Sequence, residues 1–218
     1  MFGIICAMDI ELQGILSELK NVKTEYHAKQ PYYIGKYNEK DVVICNCGVG
    51  KVNAGMHTQA LIDFYHPDKI IQSGVAGALS PEVKQFDIVL ATEATYHDMQ
   101  DFIVTDTFNL QRFYPTDKNM VEKFKNILPN CHVGRVATGD WFVNTNEDKK
   151  RIYDYTNALC TEMEGCAVAQ TCLLNEIPFI IIRSISDCAD GNADVDFPTF
   201  VQQASERTKS AILKFIEE

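Results

Sequence analysis

The residues best equipped for chemistry in this chain are carboxylates set among apolar neighbours. Cys160-Thr161-Glu162-Met163-Glu164-Gly165 places two glutamates around a methionine, with the small and apolar run Gly165-Cys166-Ala167-Val168-Ala169 behind them. Arg183-Ser184-Ile185-Ser186-Asp187 ends the apolar stretch Pro178–Ser184 with an acid, and Glu11 lies close after the opening run Phe2–Met8. Carboxylates are seldom fully buried unless paired, so these positions ask what they face. If Glu162 and Glu164 shared one regular helix, residues two apart would point about 200° away from each other. They would then not form an adjacent acid pair: one would cap the helix start or meet a partner chain, and the other would enter a pocket. Acids converging on one edge, with little basic charge nearby, suit hydroxyl recognition and proton transfer on a sugar-bearing substrate, and do not suit phosphate.

Two glycine-containing stretches could bring backbone close to such a ligand. Gly48-Val49-Gly50-Lys51-Val52-Asn53-Ala54-Gly55 fails the dinucleotide spacing, because Asn53 stands where the third glycine belongs, and fails the P-loop, because Val52 follows Lys51. It reads either as a tight strand–helix turn or as a ligand-facing backbone. Gly74-Val75-Ala76-Gly77-Ala78 follows an apolar run, and its small residues, Ala76 and Gly77 among them, leave room for a ligand at the carboxyl end of a strand.

The elements that must carry these groups alternate. Strands are expected at Phe2–Met8, Tyr32–Tyr37, Asp41–Asn46, Asp68–Ser73, Phe86–Thr92 (continuing through Glu93–His97 past a bend), His132–Thr138 and Pro178–Ser184. Helices are expected at 9–19 with Asp9 as N-cap, 51–65, 118–128, 147–155, 163–175 and 197–217. Residues 99–116 show no period and read as a long loop. Alternation with one early hairpin implies an α/β layered fold, a three-layer α/β/α sandwich around a mixed, mostly parallel sheet. With no repeat or linker, one domain over 1–218 is expected.

Composition narrows the partners. The net charge of −10 over 218 residues argues against nucleic acid or an anionic membrane. The opening residues lack a basic signal region, and no stretch is long enough to span a bilayer. The eight cysteines are therefore expected as reduced, small core residues in a cytoplasmic protein. No Cys/His cluster has zinc spacing, so neither metal nor cofactor is expected.

Taken together and in order, MFGIICAMDIE, GVGKVNAG, QSGVAGAL, YHD, ATGDWFVN, TEMEG and RSISDCAD resemble the 5′-methylthioadenosine/S-adenosylhomocysteine nucleosidases of the nucleoside phosphorylase superfamily, over nearly the whole chain. The resemblance implies hydrolysis of an N-glycosidic bond, releasing adenine and a 5-thio-substituted ribose. By position it makes Glu11 the group that activates water and Asp187 the proton donor to adenine N7. It gives Glu164 the ribose hydroxyls, with Met163 beside the sugar and Glu162 near the helix start. Phe142 would stack on the purine and the Val143 backbone would bond its edge. Met8, Val49 and Phe197 would line the ribose and 5′-thio region, and Arg183 and Ser186 would support the acids. It also implies a homodimer in which the 99–115 segment closes the neighbour's pocket. Departures stand at Val75, where many relatives carry a small hydroxyl residue, and at Trp141, where alanine is common. The alternatives are a phosphorolytic relative, disfavoured by Asp9 and Glu11 beside the expected site, and a nucleoside-binding relative without catalysis.

Overall fold

The computed structural model describes residues 1–106, 110–188 and 193–218, with the side chains of 104–106 and 193–199 outside the description. The place expected for the Phe197 side chain therefore lies outside the described residues. The chain runs β1 (Phe2–Cys6), α1 (Asp9–Leu16), β2 (Lys20–His27), β3 (Gln30–Tyr37), β4 (Lys40–Asn46), α2 (Lys51–Tyr65), β5 (Lys69–Ala78), β6 (Ile88–Tyr96), α3 (Asp101–Asp106), β7 (Tyr114–Pro115), α4 (Lys118–Ile127), β8 (His132–Thr138), α5 (Asn146–Thr156), β9 (Cys160–Glu162), α6 (Gly165–Leu174), β10 (Phe179–Asp187) and α7 (Ala193–Glu217).

The expected α/β class holds. The strands form one mixed sheet in the order β10-β6-β8-β9-β5-β1-β4-β3-β2, with β7 on β6. Parallel pairing joins β4–β1–β5–β10 and β6–β8–β9; antiparallel pairing joins β2–β3–β4, β5–β9, β6–β7 and β6–β10. Because β10 also pairs with β5, the strands β5, β10, β6, β8 and β9 close into a ring. Helices α1, α4 and α7 pack together on one side of the sheet, and α2 and α6 pack on the other. Two apolar clusters fill the interfaces, one holding Leu12, Phe124 and Ile212 and the other Leu61, Val168 and Cys172. All nine residues of β10 are buried, the expected state of an apolar strand covered on both faces.

Five local expectations are corrected. Met8, in extended backbone, caps α1, while Asp9 is its first helical residue and accepts from Asn46 Nδ2 at 2.8 Å. Strand β2 was not expected, since nearly all of Lys20–His27 is exposed and carries no apolar pattern. Strand β5 does not stop at Ser73 but runs through the glycines to Ala78, where β10 and β9 provide partners. The 99–116 stretch contains α3 and β7 rather than loop throughout. Finally, α6 begins at Gly165, after the short strand β9, so Glu162 and Glu164 do not share a helix.

Candidate active site

A cavity of about 260 Å³ opens at the carboxyl ends of β1, β5, β9 and β10, the edge where ligands gather in open α/β sheets. Its wall includes every expected site residue whose side chain is described: Met8, Glu11, Val49, Ala76, Gly77, Phe142, Val143, Glu162, Met163, Glu164, Arg183, Ser186 and Asp187. The walls are mostly apolar, and the acids Glu11, Glu162, Glu164 and Asp187 are each at most 7% exposed.

Glu11 sits at the third position of α1 and reaches back. Its Oε2 accepts from the backbone N–H of Ala7 (2.9 Å) and of the cap Met8 (3.0 Å), half of a capping box. Its Oε1 accepts from Val75 N–H of β5 at 3.0 Å. Burial pushes its carboxyl above the usual range, while Arg183 and these three N–H groups oppose the rise.

Arg183 is the cation of the site. It is 1% exposed on β10, with Nη1 donating to Val75 O at 3.2 Å, and Nη2 donating to Glu162 and, at 3.5 Å, to Glu164. Burial works against its charge, but Glu162, Glu164 and Glu11 outweigh that and hold it cationic. Gly74 makes this approach possible: a Cβ there would fall 2.2 Å from Arg183 Nη1 and 2.8 Å from Glu11 Oε1.

The two glutamates of TEMEG thus form a pair after all, bridged by Arg183. The expectation that they point apart rested on a helix that starts one residue later than Glu164. Glu162 secures the start of α6: its Oε2 accepts from Glu164 N–H (3.0 Å) and Gly165 N–H (2.6 Å), which places charge at the helix's positive end. Its Oε1 accepts a hydrogen bond from the Thr138 hydroxyl. Glu164 Oε1 accepts from Gly50 N–H at 2.9 Å, so the Gly48–Lys51 turn, with Gly48 at φ +81° and Gly50 at φ +98°, does put its backbone at the site. Burial first, and then Glu162, pushes Glu164 up to about 7, against the pull of Arg183 and of the Gly50 N–H.

Asp187 closes β10. Ser186 Oγ donates to its Oδ2 at 2.8 Å, and a register shift between Ile185 and Asp187 makes Ser186 an extra residue against Ala76–Gly77. Such bulges re-aim side chains next to active sites. The mouth of the cavity carries Val49, Trp141 and Phe142, the last two 57% and 44% exposed. Val75, one of the two departures, lines the cavity and packs on Val201 and Ala204 of α7 and on Met8 and Phe86, while its backbone serves Glu11 and Arg183.

Sequence reasoning left out Thr138, Ala7 and Thr161. Thr138 holds Glu162 and accepts from Cys166 N–H at 2.8 Å; only β8–β9 pairing brings it there, so no local signal marks it. Ala7 and Thr161 line the cavity, and Thr161 Oγ is buried without a hydrogen-bond partner among the described residues. Thr161 stood inside the TEMEG motif, where its hydroxyl was a readable signal.

Comparison with known proteins gives the family. The phosphorylase superfamily model matches residues 1–217. A 5′-methylthioadenosine/S-adenosylhomocysteine nucleosidase of Staphylococcus epidermidis is 32% identical over 226 residues, covering 100% of this chain and 99% of the relative. The S-adenosylhomocysteine nucleosidase of Streptococcus pyogenes, solved with 5-methylthiotubericidin, superposes with a TM-score of 0.94 at 30% identity, over 99% of this chain and 95% of the other. The Streptococcus pneumoniae nucleosidase, solved with the transition-state inhibitor MT-ImmA, gives 0.92 at 30% identity, over 99% and 98%. The chain belongs to the phosphorylase superfamily and, within it, to the 5′-methylthioadenosine/S-adenosylhomocysteine nucleosidase family.

Proposed function

We propose that the protein hydrolyses the N-glycosidic bond of 5′-thio-substituted adenosines such as 5′-methylthioadenosine and S-adenosylhomocysteine. Water adds to the anomeric carbon, the C–N bond breaks, and adenine leaves with a proton. The observation that carries this reading is the charge arrangement of the cavity: among the described residues its acids are Glu11, Glu162, Glu164 and Asp187, and its one cation, Arg183, is already engaged by Glu162 and Glu164. Such a wall favours a developing ribosyl cation and repels phosphate, which supports hydrolysis over phosphorolysis.

Each acid has a part. Glu11, held by three N–H groups and facing Arg183, orients and deprotonates water. Asp187 donates a proton to adenine N7, without which adenine is a poor leaving anion. Glu164 accepts the ribose hydroxyls with Met163 along the sugar. Phe142 stacks on the purine, the Val143 backbone meets its edge, and Met8 and Val49 face the 5′ substituent. Splitting acid and base roles between carboxylates in different surroundings is an established catalytic pattern.

The protein acts as a homodimer in the cytoplasm. Exposed apolar residues support the first point: Val52 and Met56 lie one turn apart on α2, and Phe102 and Ile103 lie on α3. Buried free cysteines suit a reducing compartment, and among the described residues no helix is long and apolar enough to cross a membrane. Incubation with 5′-methylthioadenosine in phosphate-free buffer tests the reaction, with adenine release followed by chromatography. Release is expected; release only on adding phosphate would replace hydrolysis with phosphorolysis.

A further inference from the structure

The backbone around Asp187 is held from outside its own strand. Ser186, the extra residue of the bulge, has its carbonyl taken by Gln85 Nε2 at 2.8 Å, from the turn between β5 and β6. The carbonyl of Cys188, just past Asp187, accepts from Lys149 Nζ of α5 at 2.6 Å. An extra residue in a bulge falls out of the ladder, and its carbonyl needs a partner elsewhere. Gln85 is placed to serve by an unusual neighbour. Phe86 has φ +69°, a conformation rare for a bulky residue, and strain of this kind persists where the surroundings over-determine it. Those surroundings are visible. Phe86 N–H donates to Ile185 O (2.8 Å), Ile185 N–H donates to Asp87 O (2.9 Å), and the Phe86 ring packs edge-on to Phe200 at 5.6 Å.

We infer that Gln85 and Lys149 are positioning residues that aim Asp187, by fixing the peptide before it and the carbonyl after it. Neither lines the cavity, so they act through Asp187 and not on the ligand. The inference rests on the reading of Asp187 as the proton donor. Its consequence is specific: loosening either hold harms protonation of the leaving group and little else.

The test compares two leaving groups. Gln85→Glu keeps the shape and removes the donor; Lys149→Met keeps most of the stem and removes the charge. On 5′-methylthioadenosine each variant is expected to lose about tenfold in kcat with KM within about twofold, a modest share of what misplacing a catalytic group costs. On the 4-nitrophenyl 5-methylthioriboside, whose leaving group departs as a stable anion without a proton, kcat should stay within about twofold of wild type. Equal losses on both substrates, or a change in KM alone, would show a general structural role and overturn the inference, as would unchanged kcat on both. Wild-type protein that releases no adenine from 5′-methylthioadenosine sinks the functional reading itself, and that is seen before any variant is made.

Discussion

Glu11 and Glu164 are buried carboxylates whose surroundings pull in opposite directions, and that balance decides what single substitutions do. Glu11→Gln keeps the size of the side chain but removes the base, so turnover should be abolished while adenine binding stays measurable by calorimetry; lost binding would give Glu11 a structural role instead. Asp187→Asn should lower turnover by at least about 10²-fold, the usual scale for a general acid, and a near-wild-type rate would remove Asp187 from that role. Gly74→Ala should be worse than its size suggests, because its Cβ would collide with the buried Arg183 guanidinium. Glu164 also predicts a pH effect. Its folded value lies above its ordinary 4.5, near 7, so the folded state holds the proton more tightly and stability falls as pH rises between those values. Denaturation midpoints of wild type and Glu164→Gln, measured from pH 4 to 8, should therefore diverge across that window with wild type losing ground; a constant difference would contradict it.

At the scale of elements, the start of α6 is secured from another strand. Thr138 on β8 accepts from Cys166 N–H and donates to Glu162, so Thr138→Val leaves a buried donor and a buried carboxylate short of a partner. A loss of about 1–3 kcal/mol is expected by chemical denaturation, and unchanged stability would deny Thr138 this role. Some elements were legible in the sequence: α2 covers the residues 51–65 expected as helix, and β10 announces itself through β-branched residues. Elements made by pairing alone were not. Strand β2 is polar and exposed, and β9 has three residues. The glycines of β5 lower strand propensity but are held by β10 and β9. The site residues were legible through motif and resemblance, whereas the Glu162–Arg183–Glu164 bridge was not, because it depends on where α6 begins. Asp9 was misread as a cap because its residue type fits that position, yet the extended backbone belongs to Met8.

Over the whole molecule, the exposed apolar residues of α2 and α3 and the proposed dimer make one claim. Val52→Glu should shift the protein from dimer to monomer in sedimentation at micromolar concentration; a wild-type monomer would remove the claim. The closed circuit of β5, β10, β6, β8 and β9 has a different consequence, visible in deuterium uptake. An open sheet frays from its margins, whereas each strand of the hoop has a neighbour on both sides, and the free margins among the described residues are β2 and the two-residue β7. Amides of β2 should exchange through local opening, and those of β5 and β10 only through global unfolding. Since the hoop is already slow to exchange, a bound nucleoside should slow uptake mainly at its rim, in residues 48–51 and 139–144. Glu162 and Asp187 would then ride on the slowly exchanging hoop, and admission of substrate would fall to the turns at its rim.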